Sequence, residues 1–400
     1  MKVLFISPNS PFESIGGVER YVINLINYFK IQKDIETFLV LPTTGKSHRV
    51  NDGNMSIYYD NNLSIPRIKR SAVEIALKAK GFSDLIETIV TENKIDVICA
   101  ENIIFSTPAS YSIRLNMIAL NHGIPIMLRL HMYPESPLQI ALTSELMWDK
   151  ISCVSTSVAG DCFQKGIDVN KLSTDYLGVN TNDFTPKPNP KYNLRKELGF
   201  DENSKIVLTA GRIITGPKSM LKEKGMINLV EAFYRVSQSN PKARLLIGVG
   251  RASINLKAEF EDTLEMLKGY IKVNGVEDKT VVKMFELDEM PDVYRSSNLL
   301  VLPAEKNETL GQIFIEAMAC GLPVIGAKTG GMPEIIDDQY SGYLVHPNDP
   351  IVLAQRIQTI LTDADLRNYF ISNGFKTVEE KFTAAKRFPD FHKLLKSLIS

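Results

Sequence analysis

Four side chains in this 400-residue chain could do chemistry together: the cations Arg212 and Lys224 and the carboxylates Glu308 and Glu316. The two glutamates lie eight residues apart in Glu308-Thr-Leu-Gly-Gln-Ile-Phe-Ile-Glu316, the first in a polar loop and the second inside an apolar run. A carboxylate on an apolar helix costs free energy unless something answers it, so Glu316 meets either a ligand or a donor within the fold. Gly311 stands where the helical pattern begins. A helix start offers free N–H groups and partial positive charge, which suit a phosphate or a hydroxyl-rich ligand. Arg212 and Lys224 follow another strand-like run, Ile206–Ala210. Strand carboxyl ends share one edge, so these cations should converge on the loop that carries Glu308. Two cations and a helix start suit a bound diphosphate, whose leaving charge they stabilise more in the transition state than in the ground state. Arg212 pairing with Glu308 or Glu316 inside the core is the structural alternative.

Two further candidates lie earlier in the chain. The strand Ile126–Leu130 delivers His131 at its carboxyl end, and Gly16-Gly17 sits between the first strand and the first helix. A histidine at a strand end also serves as an ordinary structural residue, and a glycine pair also makes a simple turn. The one Asp-x-Asp, Asp363-Ala-Asp365, reads as a helix cap with a charged first turn, so no metal site is expected. Motifs of the forms GxSxG, HExxH and GxxxxGK[ST] are absent, which argues against a hydrolase or an NTPase.

The elements that must position these residues repeat one rhythm. Lys2–Ser7 reads as a buried parallel strand; Val18, Tyr21, Val22, Leu25, Ile26 and Phe29 follow at helical spacing, then a strand over Ile35–Leu41. Strands over 95–100, 125–130 and 151–154 alternate with helical segments over 83–92, 109–121 and 142–149. Pro186, Pro188 and Pro190 mark a linker over 182–193. The rhythm then restarts with Ile206–Ala210, Leu245–Ile247, Val281–Phe285, Leu299–Leu302 and Val324–Ala327, and a glycine-bearing loop again follows the first strand. Each half is an open α/β sheet, which places ligands at strand carboxyl ends. A basic amphipathic helix with Phe388, Phe391, Leu394, Leu395 and Leu398 closes the chain and must pack on something.

Composition narrows the class further. Lys+Arg and Asp+Glu balance at 46 each, so the overall charge gives no footprint of a nucleic-acid binder. The four cysteines, Cys99, Cys153, Cys162 and Cys320, are scattered without a CxxC pair, the pattern of reduced thiols. Pro8, Asn9 and Pro11 end the opening apolar run too early for a signal peptide, and no run elsewhere approaches a membrane span. A cytoplasmic protein is therefore expected. Residues 64–80 carry five basic residues, with Ala72, Ile75, Ala76 and Ala79 on one helical face. That segment is either a solvated surface helix or a contact, through 67–80, with an anionic acceptor or the inner face of a membrane.

Glu308 to Glu316, followed by Ala-Met-Ala-Cys-Gly-Leu-Pro-Val-Ile325, resembles the glutamate–seven residues–glutamate motif of the retaining GT-B glycosyltransferases of family 4, glycosyl transferases group 1. The resemblance extends to Gly16-Gly17-Val-Glu-Arg20, His131, Leu177-Gly-Val-Asn180, Phe184-Thr-Pro186, Gly211-Arg212, Lys224-Gly225 and Gly330-Gly331-Met-Pro-Glu334, over nearly the whole chain. It implies a GT-B fold: two Rossmann-like, doubly wound parallel-sheet domains facing across a deep cleft. Residues 1–185 would bind the acceptor and residues 186–382 the nucleotide-sugar, with a terminal helix near 383–400 packing back on the first domain. It also implies a retaining, metal-independent transfer from a UDP- or GDP-linked sugar to an acceptor hydroxyl, with no further cofactor, in glycan, glycolipid or polysaccharide synthesis. By the same resemblance Arg212 and Lys224 hold the diphosphate and Glu316 the ribose, while Glu308 with the Thr309, Leu310, Gly311, Gln312 and Ile313 stretch meets the donor. Gly16 and Gly17 approach the phosphates or the acceptor, and His131 contacts the donor sugar. The acceptor would be a sugar, a lipid-linked glycan or a small molecule.

Two departures stand out. Arg212 and Lys224 are twelve residues apart, about twice the family's usual spacing, so Lys218 and Lys222 are rivals for the place of Lys224; and Asn180 replaces a frequent Asp. The competing functions are a nucleotide-sugar epimerase or phosphorylase on the same fold, or a catalytically inactive sugar-nucleotide sensor.

Overall fold

The computed structural model describes residues 1–10, 16–64, 71–187, 192–212, 220–250 and 257–399. The expectations for Arg67, Lys69, Arg70, Pro188, Pro190 and Lys218 lie outside the described residues. The chain divides into two compact units. One holds Val18–Leu177 with the amino-terminal strand and the terminal helix; the other holds Gly178–Ala384 together with Gly16 and Gly17. The divisions thus fall at 177/178 and 384/385 rather than at 185/186 and 382/383. The cause is local: Val179 bridges Thr383, and a Cβ on Gly178 would lie 2.7 Å from Ala384 Cα, which joins both segments to the second unit. The linker expected from 182 does not begin as a free tether, because Phe184 is buried and Arg295 donates to the Thr185 carbonyl at 3.0 Å.

The first unit has eight strands: β1 (Lys2–Ile6), β2 (Glu36–Pro42), β3 (His48–Asp52), β4 (Met55–Asp60), β5 (Val97–Glu101), β6 (Ile126–Leu130), β7 (Lys150–Cys153) and β8 (Leu172–Thr174). Their order is β3-β4-β2-β1-β5-β6-β7-β8, parallel throughout except for the β3–β4 hairpin. The apolar runs of β1, β2, β5, β6 and β7 are what a sheet covered on both faces requires. The hairpin is absent from the sequence reading because β3, His-Arg-Val-Asn-Asp, is polar and exposed along its length. The helix expected over 142–149 instead spans Pro137–Ser144. Ser136 forms a capping box with Gln139 ahead of Pro137 and starts it early, and the Trp148 indole N–H donates to the Leu142 carbonyl beyond its end. The segment expected over 83–92 is the last part of a longer helix, Ala72–Asn93, capped by Ser71. Its first turns carry exposed Ala72, Val73, Ala76 and Leu77, so the proposed alanine face is buried only at Ala79.

The helix Ala384–Lys396 buries Phe388, Phe391, His392 and Leu395 against this unit. The Phe388 ring stacks on Tyr28 at 5.2 Å, and the Phe391 ring lies 4.3 Å from the Arg129 guanidinium. A cation in an apolar interior needs such a face.

The second unit has six strands: β9 (Lys205–Gly211), β10 (Ala243–Val249), β11 (Thr280–Met284), β12 (Leu299–Leu302), β13 (Val324–Ala327) and β14 (Tyr343–Val345). The order is β11-β10-β9-β12-β13-β14, all parallel, so the winding reverses between β9 and β12. Sheets of this kind open a crevice for ligands at such a reversal. Glycines set the loops there. Gly225 has φ +67°, and a Cβ on it would fall 1.9 Å from the Pro303 carbonyl oxygen. Gly330 has φ +58°, and its Cβ would fall 2.1 Å from the Glu308 carbonyl oxygen; Gly331 N–H donates to that same oxygen at 2.8 Å. The next helix, Gln312–Ala319, begins two residues later than the apolar pattern suggests because Gly311 (φ +88°) turns the chain first. It ends in a Schellman motif: Gly321 N–H donates to Met318 and Leu322 N–H to Ala317. Asp363 caps the helix Ala364–Lys381 as the sequence suggests, accepting from Leu366 N–H at 2.9 Å.

Two substitutions test the packing. Gly330→Ala must place a side chain at positive φ against backbone, which should lower stability by about 2–4 kcal/mol. Phe391→Ala removes the face under Arg129 and should cost about 3–5 kcal/mol. Urea unfolding midpoints check both; an unchanged midpoint in either variant refutes the packing described for that residue.

Candidate functional site

The loops after β9 and β12 bring part of the charge-bearing set together. Arg212 follows β9 directly and is half-buried. The helix Met220–Glu223 then turns through Lys224 and Gly225 into the helix Met226–Ser239. Because Gly225 packs on Pro303, Lys224 is carried to the loop that follows β12, and its Nζ forms an ion pair with Glu308 Oε2. The two side chains keep 23% and 19% of their surface, so the pair is accessible rather than entombed. Lys222 is exposed and lies near Glu305, whose carboxyl burial pushes above its ordinary value while Lys222 and Asn228 pull it back. Among the described residues Lys224, rather than Lys222, pairs with Glu308.

Glu308 and Thr309 are half-buried, and the chain dives inward at Leu310. Gly311 gives the helix Gln312–Ala319 no side-chain cap; Phe314 N–H donates to the Gly311 carbonyl at 2.9 Å, and the N–H groups of Gln312 and Ile313 open the helix. Gln312 opens this helix nine-tenths buried, with neither atom of its amide hydrogen-bonded. One turn further Glu316 is buried, the one charged residue on this helix. Its Oε2 accepts from the Tyr294 hydroxyl at 2.9 Å. Lys224 thus meets one of the two carboxylates and Tyr294 the other. Cys320, at the far end of the same helix, has its thiol pushed up to about 12 by burial, with Arg295 opposing, and stays protonated at neutral pH. All four cysteines are free and buried.

In the first unit His131 follows β6 at the carboxyl edge of the sheet, as the sequence places it. Its ring is not on the surface. The residue is 4% exposed, Nε2 pairs with Glu101 Oε2 at 2.8 Å, and Nδ1 is buried without a hydrogen-bond partner. The His131 N–H donates to Asn102 Oδ1 at 2.9 Å, which fixes the backbone as well. Glu101 in turn accepts from the Tyr21 hydroxyl at 3.2 Å and stands 3.9 Å from Arg129 Nε, while Arg129 forms an ion pair with Asp175. Burial pulls the Arg129 pKa down, yet Asp175, Tyr21 and Glu101 more than offset it and leave it above the ordinary value. Burial raises the Asp175 carboxyl, with Arg129 opposing. Gly17 opens the first helix, Gly17–Phe29, and Gly16 precedes it. The sequence signals for this cluster were present but unread: Arg129 interrupts the apolar strand Ile126–Leu130, and Glu101 ends the apolar strand Val97–Glu101. Tyr294 carried no comparable signal, since a tyrosine on a helix is ordinary core.

Known proteins resemble this chain in sequence and in fold. Residues 190–377 match the family model of glycosyl transferases group 1. Sulfoquinovosyl transferase SQD2 of Arabidopsis thaliana is 25% identical over 398 residues, which cover 95% of this chain and 70% of that one. N-acetyl-alpha-D-glucosaminyl L-malate synthase of Bacillus anthracis is 30% identical over 193 residues, 48% of this chain and 45% of its own. The crystal structure of Anabaena Alr3699/HepE in complex with UDP and glucose matches with a TM-score of 0.76 at 19% identity, covering 99% of this chain and 100% of that one. A likeness at that identity carries the fold, two parallel α/β sheets of the GT-B kind. The second half of the chain is thus similar to the group 1 glycosyltransferases, and the whole chain has the GT-B fold.

Proposed function

We propose that the protein moves a sugar from a nucleotide-diphosphate donor to an acceptor hydroxyl, with retention of anomeric configuration and without a metal ion. The observation that carries this reading is the accessible Lys224–Glu308 pair beside the uncapped start of the helix Gln312–Ala319. Lys224 and Arg212 would hold the diphosphate, with the helix start supplying N–H groups to the same oxygens. On donor binding Lys224 would exchange Glu308 for phosphate, which frees the carboxylate for a sugar hydroxyl. Fixed cations take over the charge that a metal supplies elsewhere, and they act most strongly as the diphosphate leaves. The departing phosphate would help to deprotonate the acceptor on the same face, which accounts for retention without a protein nucleophile. Glu316 would take the ribose hydroxyls, and the backbone from Thr309 to Ile313 would meet the donor. The HepE structure holds UDP and glucose, which supports a UDP-linked donor; a GDP-linked one fits the same site.

For the acceptor side we propose a sugar, small-molecule or lipid-linked hydroxyl. Among the described residues no helix is long and apolar enough to cross a membrane. Val73 and Leu77, 69% and 65% exposed at the start of the helix Ala72–Asn93, support peripheral contact with a lipid surface next to the basic 67–70 sequence.

Lys224→Ala and Glu308→Ala should each lower kcat by about a hundredfold or more while leaving the melting temperature within a few degrees. The donor to use is the nucleotide sugar that most raises the melting temperature in a screen. Full turnover by either variant sinks the assignment. Activity should persist in excess EDTA, and the first-formed product should keep the donor's anomeric configuration by proton NMR; loss in EDTA restored by magnesium, or an inverted product, contradicts the mechanism.

A further inference from the structure

We propose that Tyr294 is a positioning residue for donor recognition: its hydroxyl fixes the plane of the Glu316 carboxylate so that the other oxygen faces the ribose diol. The inference rests on the reading of Glu316 as the ribose ligand. Tyr294 lies on the helix Met290–Ser296, directly before β12, and is fully buried. Its hydroxyl donates to Glu316 Oε2 at 2.9 Å across the two helices. Filling this volume would need only a phenyl ring. The hydroxyl adds a desolvation cost that an acceptor must offset, and here the acceptor is the one carboxylate on an apolar helix.

The phenol sits in a packed setting. Phe184 packs on it with ring centroids 6.2 Å apart. The neighbouring Arg295 pairs with Asp292 on the same helix and donates to the Thr185 carbonyl at 3.0 Å. The Tyr294 ring is fully buried, so its hydroxyl offers the carboxylate a donor in a set place. A terminal carboxylate torsion is broad and nearly two-fold in the absence of such a partner. Two vicinal hydroxyls can both donate only to a carboxylate whose plane is set, so fixing that plane is what turns Glu316 into a discriminating ligand. The role is in binding the nucleoside, not in the bond exchange.

The test is the affinity of the full-length protein for UDP or GDP, whichever raises its melting temperature, against the 2′,3′-dideoxy form of the same nucleotide. Calorimetry at low temperature keeps every variant folded. The unaltered protein should prefer the ribonucleotide by about ten- to a hundredfold, the scale of hydrogen bonds to a charged group. Tyr294→Phe should reduce that preference at least about threefold while barely changing dideoxy binding, and it should raise KM for the donor more than it lowers kcat. Adding Tyr294→Phe to Glu316→Gln should produce no further loss, the sign of two residues acting as one. As a check that keeps the shape of the site, 3-fluorotyrosine at position 294 has a more acidic hydroxyl and should shift the preference upward. An unchanged preference in both Tyr294 variants overturns the proposal even where Glu316→Gln loses it, and then the ribose reading of Glu316 survives alone. If Glu316→Gln also keeps the full preference, that reading falls and the proposal falls with it.

Discussion

Backbone pressed against backbone holds the centre of the second unit. The Glu308 carbonyl lies where a Cβ on Gly330 would stand, and the Pro303 carbonyl lies where a Cβ on Gly225 would stand. Both glycines also have positive φ, a conformation that a side chain resists. Pro303 opens the loop that ends near Glu308, so the two contacts grip it near its two ends. Lys224 is the residue before one gripping glycine, and Glu308 is the residue gripped by the other. Their ion pair is therefore placed by the main chain, and the side chains keep enough exposure to change partners. An interaction between partly exposed charges is worth little to stability. It suits a site whose pairing must be given up when a ligand arrives.

The first unit solves a different problem. Arg129, Asp175, Glu101 and His131 lie inside, where charge is expensive and removal of one member leaves another stranded. Each charge is answered: Asp175 by Arg129, Glu101 by Tyr21 and His131, and the flat face of Arg129 by Tyr21 and Phe391. The outcome is a buried imidazole at the edge of the sheet, with Nε2 held by Glu101 and Nδ1 without a hydrogen-bond partner.

Much of the architecture was legible because parallel sheets write themselves as unbroken apolar runs; β12 and β13 were placed residue for residue. The misses have physical causes. The strand β3 is polar on both faces, and β8 and β14 have three residues each, too short to show a period. The helix Pro137–Ser144 was set by a cap and not by its apolar spacing. In the site, Glu308 and Glu316 stood out because a carboxylate is unusual where they are. Their partners did not, because Lys224 competed with two other lysines and Tyr294 looked like core. Gly330 and Gly331 were visible as a motif, yet only the coordinates show that they touch Glu308 and Thr309.

The interruption of the first unit by the second has a consequence for how the protein is made. Phe391, which covers the face of Arg129, is separated from Leu177 by the whole of Gly178–Ala384. At about 5–20 residues per second, a ribosome needs on the order of 10–40 s to cross that interval. Throughout it the nascent first unit has its sheet but lacks the aromatic cover of its buried cation. The segment Ala385–Ser400 therefore completes the first unit begun, and without it that unit, not the second, is left unfinished.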